Sequence, residues 1–418
     1  MRIEIPAQVE WILNELQKHG YEAFAVGGCV RDTLLGRAPG DWDITTSAKP
    51  EEVKAVFGRT IDTGLQHGTV TVMRDHVGYE ITTYRIDGEY EDRRHPREVA
   101  FTSDLKEDLQ RRDFTINAMA YSHETGIVDV FGGMEDLKNQ MIRCVGTAKE
   151  RFTEDALRIL RAVRFSAQLH FSIEEETWKA LSEIAPNLEH VSKERIQVEL
   201  TKTLLSGHPE HVRMTRETGM TTYISRTFSR AFAEGAEENA EESLRLVHAA
   251  SLPADKAVRW AAFLAEAGEK TLVQILKELK LDNDTISRGR ILVRWYREPL
   301  PALQDGDRGT AETDVRLRRM MSTMDDDLFD LLLTFWETLR PEEAESVRFL
   351  RDRTRAIRER GDCIRLKQLA VSGNDLMAAG VPRGPGLGRM LNRLFELVLE
   401  QPERNEREFL LKKAKEML

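Results

Sequence analysis

Residues 27–43, GGCVRDTLLGRAPGDWD, constrain the fold of this chain more than any other stretch. The apolar run at 24–26 immediately before them predicts a short buried strand. Gly27 and Gly28 allow backbone N–H groups to approach a phosphate closely, and Arg31 offers a planar fork of donors to the same phosphate. The stretch therefore predicts a strand, a glycine turn and a helix that together form an anion-binding corner.

Two aspartates one residue apart, Asp41 and Asp43, close this stretch. Side chains alternate along a strand, so a strand through Trp42 would place both carboxylates on one face. Paired carboxylate oxygens suit Mg²⁺, which keeps waters and substrate phosphates as its other ligands. Glu80, in a predicted strand of the same sheet, is either a third carboxylate of this group or a surface residue of an edge strand, and the sequence leaves both interpretations open.

The apolar periodicity divides the chain into a mixed first part and a helical remainder. Strand signals become rare beyond Arg151, and Trp260 and Trp295 are predicted core residues of the helical part. The elements predicted for the first part are a helix over 7–19, a helix over 50–57 with Ser47 as its N-cap, and β-rich runs at 67–72 and 79–84 joined by a turn at 75–78.

The length of 418 residues predicts two to four domains. Polar residues 85–101 predict a mobile loop, and the Pro-, Gly- and Asp-rich residues 298–309 predict a linker. The expected fold is α+β, with a mixed β-sheet head followed by all-helical neck, body and tail. The predicted boundaries are 1–145 for the head, 146–205 for the neck, 206–305 for the body and 306–418 for the tail.

Two basic segments follow the aspartate pair. Arg112, in the RRDFT sequence at 111–115, carries a permanent planar charge that suits a triphosphate or a ribose, and Asp113 could orient a neighbouring arginine. The EDALRILRAVR sequence at 154–164 predicts a helix with polar residues on one face at i, i+3 spacing. Taken alone, that pattern is typical of an amphipathic helix with ion pairs; its polar residues are Asp155, Arg158, Arg161 and Arg164.

The sequence at 24–43 resembles the signature of the DNA polymerase β-type nucleotidyltransferases, because it presents a strand, a glycine pair, an Arg-Asp and two aspartates in this order. RRDFT at 111–115, DVFGG at 129–133 and the helix at 154–164 resemble further motifs of the bacterial class II tRNA nucleotidyltransferases and their poly(A) polymerase relatives. The resemblance covers nearly the whole chain and is strongest over 27–164. It implies a nucleotidyltransferase sheet in the head and a tail that binds tRNA.

The resemblance also implies roles for individual residues. Asp41 and Asp43 would be catalytic and hold Mg²⁺. The helix at 154–164 would read the base: a carboxylate accepts from the amino group that C and A carry where U and G carry a carbonyl, so an Asp155–Arg158 pair would refuse U and G. The implied nucleotide-binding residues are Gly28, Arg31, Arg112, Asp155, Arg158, Arg161 and Arg164.

The implied activity is addition of CCA to tRNA that lacks all or part of this 3′ sequence, with CTP and ATP as substrates. In this family a flexible loop at the position of 85–101 is needed for the final A, and its apparent full length here favours the complete activity. A poly(A) polymerase, a CC-only or A-only enzyme and, more remotely, a non-catalytic RNA-binding relative are the alternatives. The sequence leaves the oligomeric state open, a homodimer included.

Charge and composition agree with such a protein. The net charge of −10 bears on solubility, whereas RNA binding needs only a local basic face. The basic run at 348–367 is either such a face or a solvated helix surface. Three separated cysteines, no apolar signal core and no long apolar stretch predict a reduced, cytoplasmic protein without a membrane span.

Overall fold

A computed structural model describes residues 2–87, 99–231, 245–300 and 311–417. The chain divides into two compact units, the first comprising Met1–Glu234 with Glu278–Lys280 and the second comprising Gly235–Lys277 with Leu281–Leu418. The division into head, neck, body and tail stays a prediction. Most of the loop predicted at 85–101 and of the linker predicted at 298–309 lies outside the described residues.

The first unit combines a sheet with helices. Its strands are β1 (Ala23–Val26), β2 (Ile44–Thr46), β3 (Thr60–Gly64), β4 (Thr69–Arg74), β5 (Val77–Thr83), β6 (Arg85–Asp87), β7 (Val99–Phe101), β8 (Met119–Ser122), β9 (Gly126–Asp129), β10 (Met141–Ile142) and β11 (Ser172–Ile173). Its helices are α1 (Ala7–Lys18), α2 (Gly28–Leu34), α3 (Pro50–Val56), α4 (Leu105–Gln110), α5 (Gly133–Lys138), α6 (Ala148–Glu154), α7 (Leu157–Leu169), α8 (Glu175–Ile184), α9 (Lys193–Leu204), α10 (Met214–Glu217), α11 (Thr221–Ile224) and α12 (Arg226–Ala231).

Seven of these strands form one mixed sheet in the order β3-β4-β5-β2-β1-β8-β9. Only β2 and β5 run parallel, with Ile44 opposite Ile81, and the other neighbouring pairs of this sheet are antiparallel. All four residues of β1 are buried, as its continuous apolar run predicts. The α+β fold class, with a mixed sheet at the start of the chain and helices after it, is confirmed.

The core beneath the sheet explains the placement of the glycine turn. Phe24 and Val26 of β1 pack with Tyr84, Leu109 and Ala120 of β8, and Tyr84 and Leu109 are fully buried. Burial of an apolar side chain of this size stabilises a fold by about 1.5–3 kcal/mol. The cluster holds β1 in the sheet, so the chain leaves β1 through Gly27 at a fixed position.

Local sequence explains most element boundaries, with two corrections. The helix predicted at 7–19 is α1, and that predicted at 50–57 is α3. The N-cap of α3 is Lys49, however, and Ser47 was the wrong choice because its hydroxyl accepts the backbone N–H of Glu22 at 2.9 Å. The turn between β4 and β5 is shorter than predicted, since Asp75 and His76 both have positive φ and complete it alone.

The remaining chain is helical where it is described. Trp260 is fully buried, as predicted, but Trp295 is only half-buried because the adjacent Tyr296 occupies the core position. Among the described residues, every helix falls short of the length and apolar character that a membrane span needs. The helices are Lys256–Phe263, Glu269–Glu278, Asn283–Arg297, Ala311–Ser322, Asp326–Leu339, Ala344–Glu359, Gly373–Ala378, Pro385–Glu400 and Arg407–Glu416.

The basic run at 348–367 is largely neutralised inside the second unit. Asp314 accepts from two of its arginines, Arg353 at 2.6 Å and Arg360 at 2.9 Å. The other ion pairs are Arg351–Glu337, Arg355–Asp352, Arg358–Asp330 and Arg365–Asp326. These contacts favour the interpretation of the run as an ion-paired helix surface.

The glycines of the DVFGG motif allow close packing. The Asp129 carboxylate accepts the backbone N–H groups of Gly133 and Met134, both at 2.8 Å, and so fixes the start of α5. A Cβ at Gly133 would lie 2.4 Å from the backbone oxygen of Thr115. The motif therefore holds α5 against the end of the RRDFT segment.

We expect Gly133→Ala to lower the free energy of unfolding by about 1–3 kcal/mol, because the added methyl group must push backbone away. Urea unfolding followed by circular dichroism measures the loss. Gly58→Ala is the matched control, since no atom lies within 4 Å of the Cβ it would add. Equal stability of the two variants would contradict the packing role.

Candidate active site

A cleft with a volume of about 530 Å³ opens in the first unit. All nine residues that the sequence predicted as site residues line it. They are Gly28, Arg31, Asp41, Asp43, Arg112, Asp155, Arg158, Arg161 and Arg164. The fold thus brings together segments that lie more than 120 residues apart in the chain.

Asp41 and Asp43 lie on an extended segment immediately before β2. The strand begins at Ile44, later than predicted, but the backbone N–H of Val26 donates to the carbonyl of Asp43 at 3.0 Å and ties the segment to β1. Both carboxylates line the cleft. Removal of water by the surrounding protein and the negative charge of Asp41 together raise the pKa of Asp43.

Glu80 lies beside this pair in the sheet. Ile81 of β5 is opposite Ile44 of β2 in parallel register, so Glu80 comes next to the residue before Ile44, which is Asp43. After desolvation and Asp41, the charge of Glu80 also raises the pKa of Asp43. The structure therefore places a third carboxylate within electrostatic reach of the pair.

The glycine turn and α2 form the corner that the sequence predicted. Gly27 precedes α2 with φ 84°, a conformation that favours glycine, and a Cβ there would lie 3.1 Å from Nη1 of Arg112. Arg31 is buried, and its guanidinium donates to both oxygens of Asp32 at 3.0 Å and to Oδ1 of Asn117 at 2.5 Å. These three bonds leave two of its five N–H groups for a ligand.

A fully buried carboxylate, Asp108, holds Arg112 at the cleft wall. Asp108 pairs with Arg111 at 2.9 Å and with Arg112 at 3.4 Å. It also accepts from the hydroxyl of Thr45 and the backbone N–H of Arg85. Burial alone would raise the pKa of Asp108, but the two guanidinium groups lower it, so the carboxylate is charged and anchors both arginines.

Asp113 anchors another arginine of the cleft, as Asp108 anchors Arg111 and Arg112. Its Oδ1 accepts from Asn117 at 3.1 Å, and its Oδ2 accepts from Nη2 of Arg161 at 2.6 Å. Burial would raise the pKa of Asp113, but Arg161 and Asn117 hold it well below its usual range. The prediction that Asp113 orients a neighbouring arginine agrees with these contacts, and that arginine is Arg161 of α7.

The predicted continuous helix over 154–164 is interrupted. Helix α6 ends at Glu154 and α7 begins at Leu157, while Asp155 is extended at φ −139° and ψ 102°. Asp155 leaves the helix because its Oδ1 accepts the N–H of Leu157 at 3.1 Å and its Oδ2 pairs with Arg195 of α9 at 2.8 Å. The expectation that Asp155 and Arg158 share one helix face was wrong in this respect, although both residues line the cleft.

The three arginines of α7 each have a carboxylate partner. Arg158 pairs with Glu154 at 2.7 Å, and Arg164 pairs with the buried Glu199 at 3.0 Å. Arg161 has Asp113, as described. The guanidinium groups of Arg31, Arg161 and Arg164 also surround the ring of Phe165, at 5.0, 5.3 and 4.2 Å from its centroid.

Sequence reasoning missed several residues of the cleft. Asn117 and Phe165 had no local signal, because their contacts with Arg31 depend on the tertiary fold. Arg195 is not among the predicted site residues, yet it holds Asp155. Its position in the first turn of a helix, where a cation is unfavourable to the helix dipole, was the available signal. Lys202, about two turns further along α9, also lines the cleft.

Family models match three stretches of the chain. They are a poly A polymerase head domain over residues 23–143, a probable RNA and SrmB-binding site of polymerase A over 170–231, and a putative domain 2 of tRNA nucleotidyltransferase over 253–414. The sheet, the aspartate pair and the arginine-lined cleft all lie within or next to the first two. The fold and site therefore define a nucleotidyltransferase, a class that normally uses a divalent metal ion.

The comparisons narrow the class further. A CCA-adding enzyme of Geobacillus thermodenitrificans is 40% identical over 405 residues, which cover 95% of this chain and 93% of that protein. One of Leuconostoc mesenteroides is 55% identical over 196 residues, about half of each chain. The crystal structure of the Bacillus stearothermophilus CCA-adding enzyme in complex with CTP matches with a TM-score of 0.79 and 31% identity over 99% of this chain and 98% of that one. This chain belongs to the CCA-adding enzyme family.

We expect Asp113→Asn to lower the free energy of unfolding by about 3 kcal/mol at pH 7, because it removes the charge that balances Arg161. A depressed folded-state pKa stabilises the fold above the unfolded-state pKa of about 3.9, and this stabilisation is lost as pH falls towards the folded-state value. The deficit relative to the wild type should therefore persist from pH 7 to 5 and shrink below about pH 4.

Urea unfolding at a series of pH values measures this deficit. Asp75→Asn, at an exposed turn, is the control and should leave stability nearly unchanged. A deficit that stays constant through the acid range would show that the Asp113 charge does not stabilise the fold.

Proposed function

We propose that this chain adds CCA to the 3′ end of tRNA without a nucleic-acid template. It transfers CMP from CTP twice and AMP from ATP once, and releases pyrophosphate each time. The observation that carries the proposal is a single cleft in which Asp41 and Asp43 face residues from the start of α7. Family membership over 95% of the chain supports the same activity.

Asp41 and Asp43 would hold Mg²⁺. Two carboxylates on one segment fit a hard divalent cation. Desolvation and, after it, repulsion by Asp41 raise the pKa of Asp43, and a bound cation would favour the charged form against both effects. The chemistry that Mg²⁺ would supply at Asp41 and Asp43 is a lower pKa of the attacking 3′-hydroxyl and neutralisation of charge on the triphosphate. The protein contributes by fixing the segment between β1 and β2 on which both carboxylates lie.

Gly28, Arg31 and Arg112 form the triphosphate corner. Gly28 opens α2 and brings its backbone N–H groups to the cleft, and Arg31 and Arg112 supply positive charge on either side. Asp32 and Asn117 hold the guanidinium group of Arg31, and Asp108 holds that of Arg112. Both guanidinium groups are therefore positioned before the nucleotide arrives, and little side-chain entropy is lost on binding.

Asp155 and Arg158 would read the base. Asp155 accepts from the amino group of C or A, and Arg158 donates to a ring nitrogen or carbonyl oxygen. In U and G, a carbonyl replaces this amino group, so two hydrogen-bond acceptors would face each other at Asp155. U and G are therefore expected to bind poorly. Arg195 and Glu154 hold this pair in place, and Arg161 and Arg164 support it from within α7.

The proposal extends to the rest of the chain. Residues 306–418 would contact the tRNA, and Arg383, Arg389 and Arg393 are exposed around the start of Pro385–Glu400, where a helix N-terminus favours phosphate. We also infer a cytoplasmic location, where the three free cysteines would stay reduced.

The activity is tested by incubating the purified chain with a tRNA that lacks CCA and with each labelled nucleotide in turn. We expect two C and one A to be added, and Asp41→Asn to abolish both incorporations while tRNA binding by gel shift persists. The control Asp62→Asn, on β3 and paired with Lys54, should keep wild-type rates. Repetitive addition of A would identify a poly(A) polymerase instead, and turnover by Asp41→Asn would refute the metal assignment.

Base selection is tested separately. We expect Asp155→Ala and Arg158→Ala to lower the preference for CTP and ATP over UTP and GTP by about 10- to 100-fold, because each removes a hydrogen bond that the wrong base cannot make. The ratio of kcat/KM values measures this preference. Glu150→Ala, exposed on α6, is the control. Full discrimination by both variants would exclude the protein side chains as the template.

A further inference from the structure

Three histidines and a glutamate meet at the C-terminal end of α7, outside the residues that line the cleft. His170 ends the helix with φ 58°, and His208, Glu210 and His211 lie in the segment that follows α9. Potential ligand atoms of His170, Glu210 and His211 all lie within 4.8 Å of one another. We name these four residues the histidine cluster.

Hydrogen bonds around His211 determine which of its nitrogens is free. The Ser166 hydroxyl has one proton, and it donates this proton to the carbonyl of Phe171 at 2.5 Å. The same hydroxyl oxygen lies 2.8 Å from Nδ1 of His211, so it accepts there and Nδ1 carries the proton. The neutral ring then has an unprotonated Nε2. Bonding of one ring nitrogen to a buried protein group while the other is free is the usual arrangement of a metal-binding histidine.

The other two histidine rings of the cluster contact each other directly. His208 stacks on His170, with centroids 3.8 Å apart and planes inclined by 20°, a geometry in which two charged rings would repel each other. Nδ1 of His208 lies 3.1 Å from Oε1 of Glu210. This contact holds one oxygen of the Glu210 carboxylate, and the second oxygen of a carboxylate can bind a ligand.

We propose that His170, Glu210 and His211 bind a divalent transition-metal ion of the Zn²⁺ type, with His208 orienting Glu210. Two imidazoles and a carboxylate are a ligand set for Zn²⁺, with water in the fourth position, whereas Mg²⁺ prefers oxygen ligands alone. The site is therefore chemically distinct from the pair Asp41 and Asp43. A metal here links the end of α7 to the segment after α9 and stabilises the fold of the first unit.

Zn²⁺ binding to the full chain, stripped with a chelator and measured by calorimetry in excess Mg²⁺, tests the proposal. We expect one equivalent to bind and the thermal midpoint to rise by a few degrees. His211→Ala and His170→Asn should each weaken binding at least tenfold; asparagine at 170 tolerates the left-handed conformation. Ser166→Ala should weaken it by about 10- to 100-fold, because it removes the bond that sets the His211 tautomer.

Two controls separate this site from others. His19→Ala, on an exposed histidine outside the cluster, and Asp41→Asn should bind Zn²⁺ as the wild type does. Co²⁺ in place of Zn²⁺ should show the visible absorption of a nitrogen-containing site of low coordination number, and lose it in His170→Asn. No stoichiometric binding, or binding that survives both histidine variants while circular dichroism shows them folded, would overturn the proposal.

Discussion

Seven arginine side chains line one cleft, and they can lie so close together only because carboxylates compensate their charges. Asp108 forms ion pairs with two of them, Arg111 and Arg112, and Asp113 forms one with Arg161. The remaining ion pairs are Asp32–Arg31, Glu154–Arg158, Asp155–Arg195 and Glu199–Arg164. Removal of one partner from a buried pair leaves a charge without compensation, which costs several kcal/mol. These ion pairs fix the positions of the guanidinium groups without any contribution from a ligand.

The same pairing explains how a chain of net charge −10 can bind a triphosphate. Most acidic residues lie outside the cleft, while the cleft wall concentrates guanidinium groups whose partners bind only part of each fork. The positive charge is therefore concentrated at the cleft, as phosphate binding requires. In the second unit, arginines of the basic run at 348–367 are likewise paired with carboxylates from neighbouring helices, so the number of arginines alone did not indicate a binding surface.

Residues whose function follows from local chemistry were predictable from the sequence, and residues whose function follows from long-range contacts were not. The glycine turn, the aspartate pair and the arginines of α7 have the spacing of a motif, and they all line the cleft. The partner of Asp155 was not predictable, because Arg195 is 40 residues away and reaches Asp155 only once α9 has packed on α7. The same holds for Trp295, which was predicted as a core residue although the adjacent Tyr296 is the buried one.

The interruption between α6 and α7 has a physical consequence for base reading. In a continuous helix, the Asp155 carboxylate would lie on the helix surface next to Arg158 at i, i+3 spacing, and the two side chains would form an ion pair with each other. In the extended conformation, Asp155 forms an ion pair with Arg195, and Arg158 forms one with Glu154. The two groups that would face a base are therefore held by different partners. An acceptor and a donor that are kept apart in this way can contact adjacent atoms on the edge of one base. Under the proposed base reading, this break in the helix, which the amphipathic pattern concealed, is what would let Asp155 and Arg158 act together as a template.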